Sequence, residues 1–131
     1  MILFLRAFFV IVLASMLGVT TWASLHGSVL AIPREVTTHP WFIATLFDTY
    51  WAFFTFYVWL AYKETSWVAR VLWFVAIVLL GNIAMSVYGL IQTFRTPLDA
   101  KLETLLLRGQ PVSVAVPAAL IAIIVAIGLF A

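Results

Sequence analysis

Between Ile2 and Ala23 the chain carries one charged side chain, Arg6; between Trp41 and Tyr62 one, Asp48; between Val68 and Phe94 one, Arg70; and between Val112 and Ala131 none. Four apolar runs of this length constrain the fold more than any other feature. A hydrocarbon layer about 30 Å thick is crossed by about 20 helical residues rising ~1.5 Å each. Within lipid the backbone must satisfy its own hydrogen bonds, which helices do. The expected fold is all-α: a polytopic membrane protein forming a single transmembrane domain over residues 1–131. Four transmembrane helices at about 2–23, 41–62, 68–94 and 112–131 would pack as an antiparallel bundle.

Composition narrows the function classes. With 66% hydrophobic and 9% charged residues and a mean hydropathy of +1.17, the chain lies outside the soluble range. Its connecting segments are too short to hold a separate catalytic or nucleic-acid-binding domain. The net charge of +2 suits membrane-flanking cations better than a nucleic-acid surface. Cysteine is absent, which removes disulfides, thiolate metal sites and cysteine nucleophiles. Met1 to Leu25 imitates a secretory signal, with Thr21-Trp22-Ala23 as a loose cleavage site, but further apolar runs follow and a retained first helix is expected. The expected location is the cell membrane, in a multi-pass arrangement.

Four straight spans would put the N-terminus, the turn Lys63–Trp67 and the C-terminus on one side, and the loops 24–40 and 95–111 on the other. Arg6, Lys63 and Arg70 then stand against Arg34, Arg95, Lys101 and Arg108, a balance that assigns no orientation. Within 95–111, Thr96 can cap a helix, Pro97 suits its first position and Asp99 its first turn. Leu98, Leu102 and Leu105 follow at helical spacing, opposite Lys101 and Arg108. The pattern predicts a short interfacial helix ending at Gly109, serving as a packed connector or as a contact for lipid headgroups.

Each span shows small or polar residues at spacings of three and four, the pattern that lets membrane helices approach closely. They are Ala7, Ala14, Gly18 and Thr21; Ala44, Thr45, Asp48, Ala52 and Thr55; Asn82, Ser86, Gly89 and Thr93; and Ala115, Ala119, Ala122 and Ala126. These stripes are expected to face one another. A carboxylate inside a span costs ~2.5 to 3.5 kcal/mol on insertion scales and is kept within a bundle or beside water. Counting helical rise, Ser15, Asp48 and Asn82 fall near one depth, so they could form a buried polar layer. That layer would be either a proton or cation site or a hydrogen-bonded lock between helices.

Half of the second span is aromatic. Its middle members, Phe47, Phe53, Phe54 and Phe56, could line a lipid or cofactor surface or simply pack between helices. His26 and His39, with Glu35 between them, could in principle bind a metal, but no ligand motif orders them and rim histidines explain them as well. No catalytic residues are discerned: no nucleophile–base pair, metal cluster or phosphate loop is present, so an enzyme is disfavoured and no cofactor is expected.

The run Trp41-Phe42-Ile43-Ala44-Thr45-Leu46-Phe47-Asp48, then Phe56-Tyr57-Val58-Trp59, Tyr62-Lys63-Glu64 and Gly81-Asn82-Ile83-Ala84, resembles the family catalogued as domain of unknown function 1475, over about residues 6–95. The resemblance implies membrane residence and a shared polar core, and supplies no catalytic residues. Three functions remain open. The first is an accessory or interaction subunit within the bilayer, with lipids and other membrane proteins or a second copy as partners and no nucleic acid. The second is a small ion or solute transporter or channel using Asp48 and Asn82. The third is a lipid or cofactor binder, or a membrane enzyme, built on the aromatic span.

Overall fold

The computed structural model describes residues 1–107, 109 and 111–130, with Leu129 and Phe130 as backbone alone. Among them are seven α-helices and no strand: α1 (Ile2–His26), α2 (Arg34–Thr37), α3 (Pro40–Lys63), α4 (Trp67–Leu80), α5 (Asn82–Arg95), α6 (Leu102–Leu107) and α7 (Ala115–Phe130).

Local chemistry sets most of these boundaries. Pro40 opens α3 where its missing N–H is no loss, and the His39 ring accepts from Trp41 N at 3.3 Å. Ser66 caps α4 through Ala69 N. The helix ends at Gly81, whose φ of 52° and ψ of −122° put it where side chains other than hydrogen are strained. Gly81 closes α4 by donating to Ile77 O, and its own carbonyl accepts from Met85 N as α5 begins.

This one glycine overturns the expected third span. Residues 68–94 do not form a continuous helix; α4 and α5, 14 residues each, fold back on one another as a hairpin. The Trp73 and Tyr88 rings lie 5.0 Å apart, and Tyr88 reaches Glu64 ahead of α4, contacts that a straight helix of this length excludes. The correction propagates. The described residues of loop 95–111 lie at the end that holds the N-terminus and the Lys63–Trp67 turn, instead of opposite it. Both α4 and α7 start there and run side by side in the same direction, so the bundle is not antiparallel throughout. Arg6, Lys63, Arg70, Arg95 and Lys101 gather at this basic end; Arg34 stands at the far end.

The core lies along the hairpin. It joins Leu60 of α3, Ala69, Trp73, Ala76 and Ile77 of α4, Ala84 and Tyr88 of α5, and Val112, with Val116, Leu120 and Ile121 of α7 packed against it. The α1 helix packs along α5. At ~1.5 Å per residue α1 and α3 are about 35 Å long and the hairpin arms about 21 Å, so the upper parts of α1 and α3 stand beyond its tip. Leu17, Val19, Trp22, Trp41 and Phe47 are exposed there.

Among the described residues α1 is the one helix both long and apolar enough to cross a membrane; α4 and α7 are apolar but shorter. The expected helix in 95–111 is present as α6, though Thr96 ends α5 instead of capping α6. Arg108, expected on its polar face, and Ala131, expected to end the fourth span, lie outside the described residues.

Candidate functional site

The buried polar groups collect at the basic end, around the turn between α3 and α4. Glu64 is 1% exposed. Its Oε1 accepts from the Tyr88 hydroxyl and from Val112 N, both at 3.0 Å, which joins the α3–α4 turn to α5 and to the entry of α7. Its Oε2 has no partner among the described residues, nor has Trp73 Nε1, although both are buried. An unpaired polar group in such a place costs about 1 to 3 kcal/mol, so the Glu64 carboxylate is only half satisfied by its two donors.

Beside it, Lys63 is fully buried. Its Nζ donates to Leu105 O and lies 5.2 Å from the centre of the Trp59 ring, while Trp59 Nε1 donates to Leu106 O at 3.1 Å. Trp59 and Lys63 are one helical turn apart on α3, and together they grip the last carbonyls of α6. Burial pushes the Lys63 ammonium from the ordinary 10.5 down to about 8, with Glu64 pulling it partly back.

Under α6 lies a cavity of about 310 Å³. Leu5 and Phe9 of α1 form one wall and Phe56 and Trp59 of α3 the other; Gly89 and Thr93 of α5 form the floor. Its size matches the lower range of small-molecule sites. Gly89 admits the Phe9 ring so closely that a Cβ there would stand 2.6 Å from Phe9 Cζ.

Ser15, Asp48 and Asn82 are not brought together as a polar layer. Ser15 donates to Val12 O in its own helix and is exposed; Asp48 is exposed on α3; Asn82 is half-buried where α5 starts after Gly81. Phe53, not Asp48, lies at the level of Gly81, and Ser15 and Asp48 both sit on the outward faces of their helices. The reason is that α1 and α3 turn large side chains inward. On α1 the inward row is Ile2, Leu5, Arg6, Phe9 and Val12, leaving Ala7, Ala14, Gly18 and Thr21 outside. On α3 the inward residues include Phe53, Phe54, Phe56 and Leu60, leaving Ala44, Thr45, Ala52 and Thr55 outside with Asp48. The alanines of α7 also face outward, and only the α5 stripe, Ser86, Gly89 and Thr93, is buried as expected.

Of the aromatic set, Phe53 lies against Gly81, Phe54 stacks on Phe74 at 6.0 Å, Phe56 meets Tyr88 edge-on at 6.3 Å, and Phe47 is exposed. At the far end His26 lies over Trp22 with Nδ1 2.7 Å from Trp22 O, and His39 caps α3. Neither joins Glu35 in a group able to hold a metal among the described residues.

Glu64, Tyr88 and Trp73 were not legible as a cluster, because a straight third span separates Tyr88 from Glu64 by the length of the bundle. The available signal was Gly81-Asn82, a helix-stop pair in the middle of an apolar run.

No curated protein and no solved structure matches the chain. A family model does match, described as a protein of unknown function (DUF1475), over residues 1–113, which takes in every helix described above except α7. The chain therefore belongs to the DUF1475 family.

Proposed function

We propose that the chain is a multi-pass membrane protein acting as an accessory or interaction subunit within the bilayer, with its basic end towards the cytoplasm. Arg6, Lys63, Arg70, Arg95 and Lys101 at one end against Arg34 at the other support the orientation through the positive-inside bias. Exposed apolar side chains on α1, α3 and α7 need lipid or partner helices to cover them.

The observation that carries the interaction reading is Asp48. It is exposed on the outward face of α3 with no hydrogen bond or ion pair among the described residues, about 22 Å from Lys63 by helical rise. Its neighbours on that face hide their polarity: Thr45, Thr49 and Thr55 each donate to the carbonyl one turn earlier, at 2.8 to 2.9 Å. A carboxylate has no such recourse, and lipid is a poor solvent for it. A partner helix with a polar group, seated between Ala44 and Ala52, resolves this at close approach.

The test is purification of the tagged full chain from its native membrane. A membrane protein should co-purify in fixed ratio with the wild type and with Asp48→Asn, and be lost with Asp48→Leu. A wild-type chain that elutes alone with lipid overturns the reading.

A transport role using Asp48 and Asn82 is the second reading, favoured by the helix break at Gly81, since broken helices inside a bilayer border water-filled paths. It predicts ion flux in proteoliposomes that Asp48→Asn abolishes.

A further inference from the structure

We infer that the cavity under α6 holds one acyl chain of an anionic phospholipid, whose headgroup lies at the basic rim. This rests on the membrane reading and adds to it a specific site that the interaction role does not require. Three observations carry it.

The first is the position of the cavity. The α1 helix packs along α5, and α3 packs along α4, and the space between α1 and α3 is floored by Gly89 and Thr93 of α5 and covered by Leu102, Leu105 and Leu106 of α6 at the basic end. The wall residues Leu5, Phe9, Phe56 and Trp59 are each partly exposed, so the cavity opens sideways between two outward-facing helices. In a bilayer that opening faces acyl chains.

The second is its chemistry. The two polar side-chain groups of the lining are turned to backbone carbonyls, the Thr93 hydroxyl to Leu90 O and Trp59 Nε1 to Leu106 O, and the rest is hydrocarbon and aromatic ring. Nothing there would orient a polar solute, whereas an alkyl chain needs only apolar walls.

The third is charge. Arg6 follows Leu5 of the cavity wall, and Lys101 precedes Leu102 of α6. Arg6 uses Nε and Nη2 on the carbonyls of Thr93 and Thr96 and lies 4.7 Å from the centre of the Phe94 ring, while its Nη1 makes no hydrogen bond among the described residues; Lys101 is exposed and its side chain bonds nothing among them. The basic end as a whole carries five described cations against the carboxylates Glu64, Asp99 and Glu103. A phosphate headgroup at the membrane surface fits this rim, and an uncharged or zwitterionic one fits it less well.

The experiment is reconstitution of the full chain into phosphatidylcholine vesicles doped with either phosphatidylglycerol or phosphatidylcholine bearing a diazirine on the acyl chain. After irradiation, crosslinks are located by peptide mass spectrometry. Crosslinks from phosphatidylglycerol should concentrate on residues 5–9, 56–59 and 102–106, about fivefold over those from phosphatidylcholine, as ~1 kcal/mol from a surface cation implies. Leu105→Trp should remove this cluster by filling the cavity; Leu106→Trp repeats the test from a less buried position. Lys101→Gln should narrow the difference between the two lipids. Crosslinks spread over the outward faces of all helices, equal for both lipids, overturn the site while leaving the membrane reading intact. A chain that fails to float with the vesicles overturns both.

Discussion

The Arg6 guanidinium and the Thr93 carbonyl, 87 residues apart, are joined twice: Nε donates at 3.1 Å and Nη2 at 2.9 Å, and Nη2 also reaches Thr96 O at 2.9 Å. Arg6 thus closes the C-terminus of α5, where carbonyls have no helical partner and the helix dipole is negative. The pattern recurs at the basic end. Arg70 donates to Ala61 O and Glu64 O at the end of α3, Lys63 and Trp59 reach the end of α6, and Arg95 donates to Pro111 O at 2.7 Å. Cations that sequence alone presents as membrane anchors also serve as inter-helix caps.

Replacing Arg6 should therefore loosen α1 from α5. Arg6→Gln is expected to lower stability by about 2 kcal/mol, in the range for hydrogen bonds to a charged group. Arg6→Lys should recover only part of this, because one ammonium does not reproduce the forked contact. Thermal unfolding in detergent, followed by circular dichroism, measures both.

The hairpin depends on Gly81. A Cβ there would stand 2.5 Å from Phe53 Cζ, and its positive φ strains any larger residue. Gly81→Ala should cost about 2 kcal/mol or more, and adding Phe53→Ala should not restore stability because the backbone strain persists. Gly18, with nothing within 4 Å of its Cβ position, is the control: Gly18→Ala should stabilise α1 by about 0.5 to 1 kcal/mol. The same unfolding assay decides.

These particulars show what the sequence made legible. Helix content, the positions of α1 and α3 and the buried small face of α5 follow from periodicity and caps, whereas α6 follows from its leucine spacing and not from the Thr96 cap, which ends α5. The inward faces of α1, α3 and α7 do not, because a stripe of alanines and a row of large apolar residues are each a plausible interface until the neighbouring helix is known. That charge avoids lipid argues for Asp48 inside, yet Phe53, Phe56 and Leu60 take the face of α3 turned to the hairpin. Nothing in the sequence marks Glu64 as buried, because its partners, Tyr88 and Val112, reach it only once Gly81 reverses the chain.

Glu64 and Tyr88 should be energetically coupled. Tyr88→Phe removes one donor, whereas Glu64→Leu strands both the Tyr88 hydroxyl and Val112 N in the core, at about 1 to 3 kcal/mol for each group. Glu64→Leu should therefore be the more damaging. The double variant should lose less than the sum of the single losses, a coupling that a double-mutant cycle resolves.

Lys63, at the end of α3 just past the Trp41–Tyr62 run, gives a pH dependence. Its value falls from 10.5 to about 8 on folding because burial disfavours the ammonium. Between these two values the unfolded chain binds more protons than the folded one, so stability from this group rises with pH from about 8 and levels off near 10.5. Below about 8 the lysine is charged in both states and its contribution is flat. Lys63→Met should remove this rise, as read from unfolding midpoints between neutral and alkaline pH.

The hairpin also decides where the two ends of the chain lie. With a straight third span, four crossings return the end of α7 to the side of the N-terminus. With the fold back at Gly81, Arg95 stays at the end that holds Arg6, and α7 starts beside Glu64 and runs away from it. In a bilayer the N-terminus should then be cytoplasmic, following the cluster of Arg6, Arg70, Arg95 and Lys101. The end of α7 should lie towards the opposite face, although its 16 residues reach only about 24 Å. Reporter fusions active on only one side of the membrane, placed in turn at each end, should report opposite sides. A third fusion in the Gly27–Pro33 segment should side with the end of α7, since α1 alone separates that segment from the N-terminus. If both ends report the same side, the Gly81 reversal is not how the chain sits in its membrane, and the Glu64–Tyr88 junction falls with it.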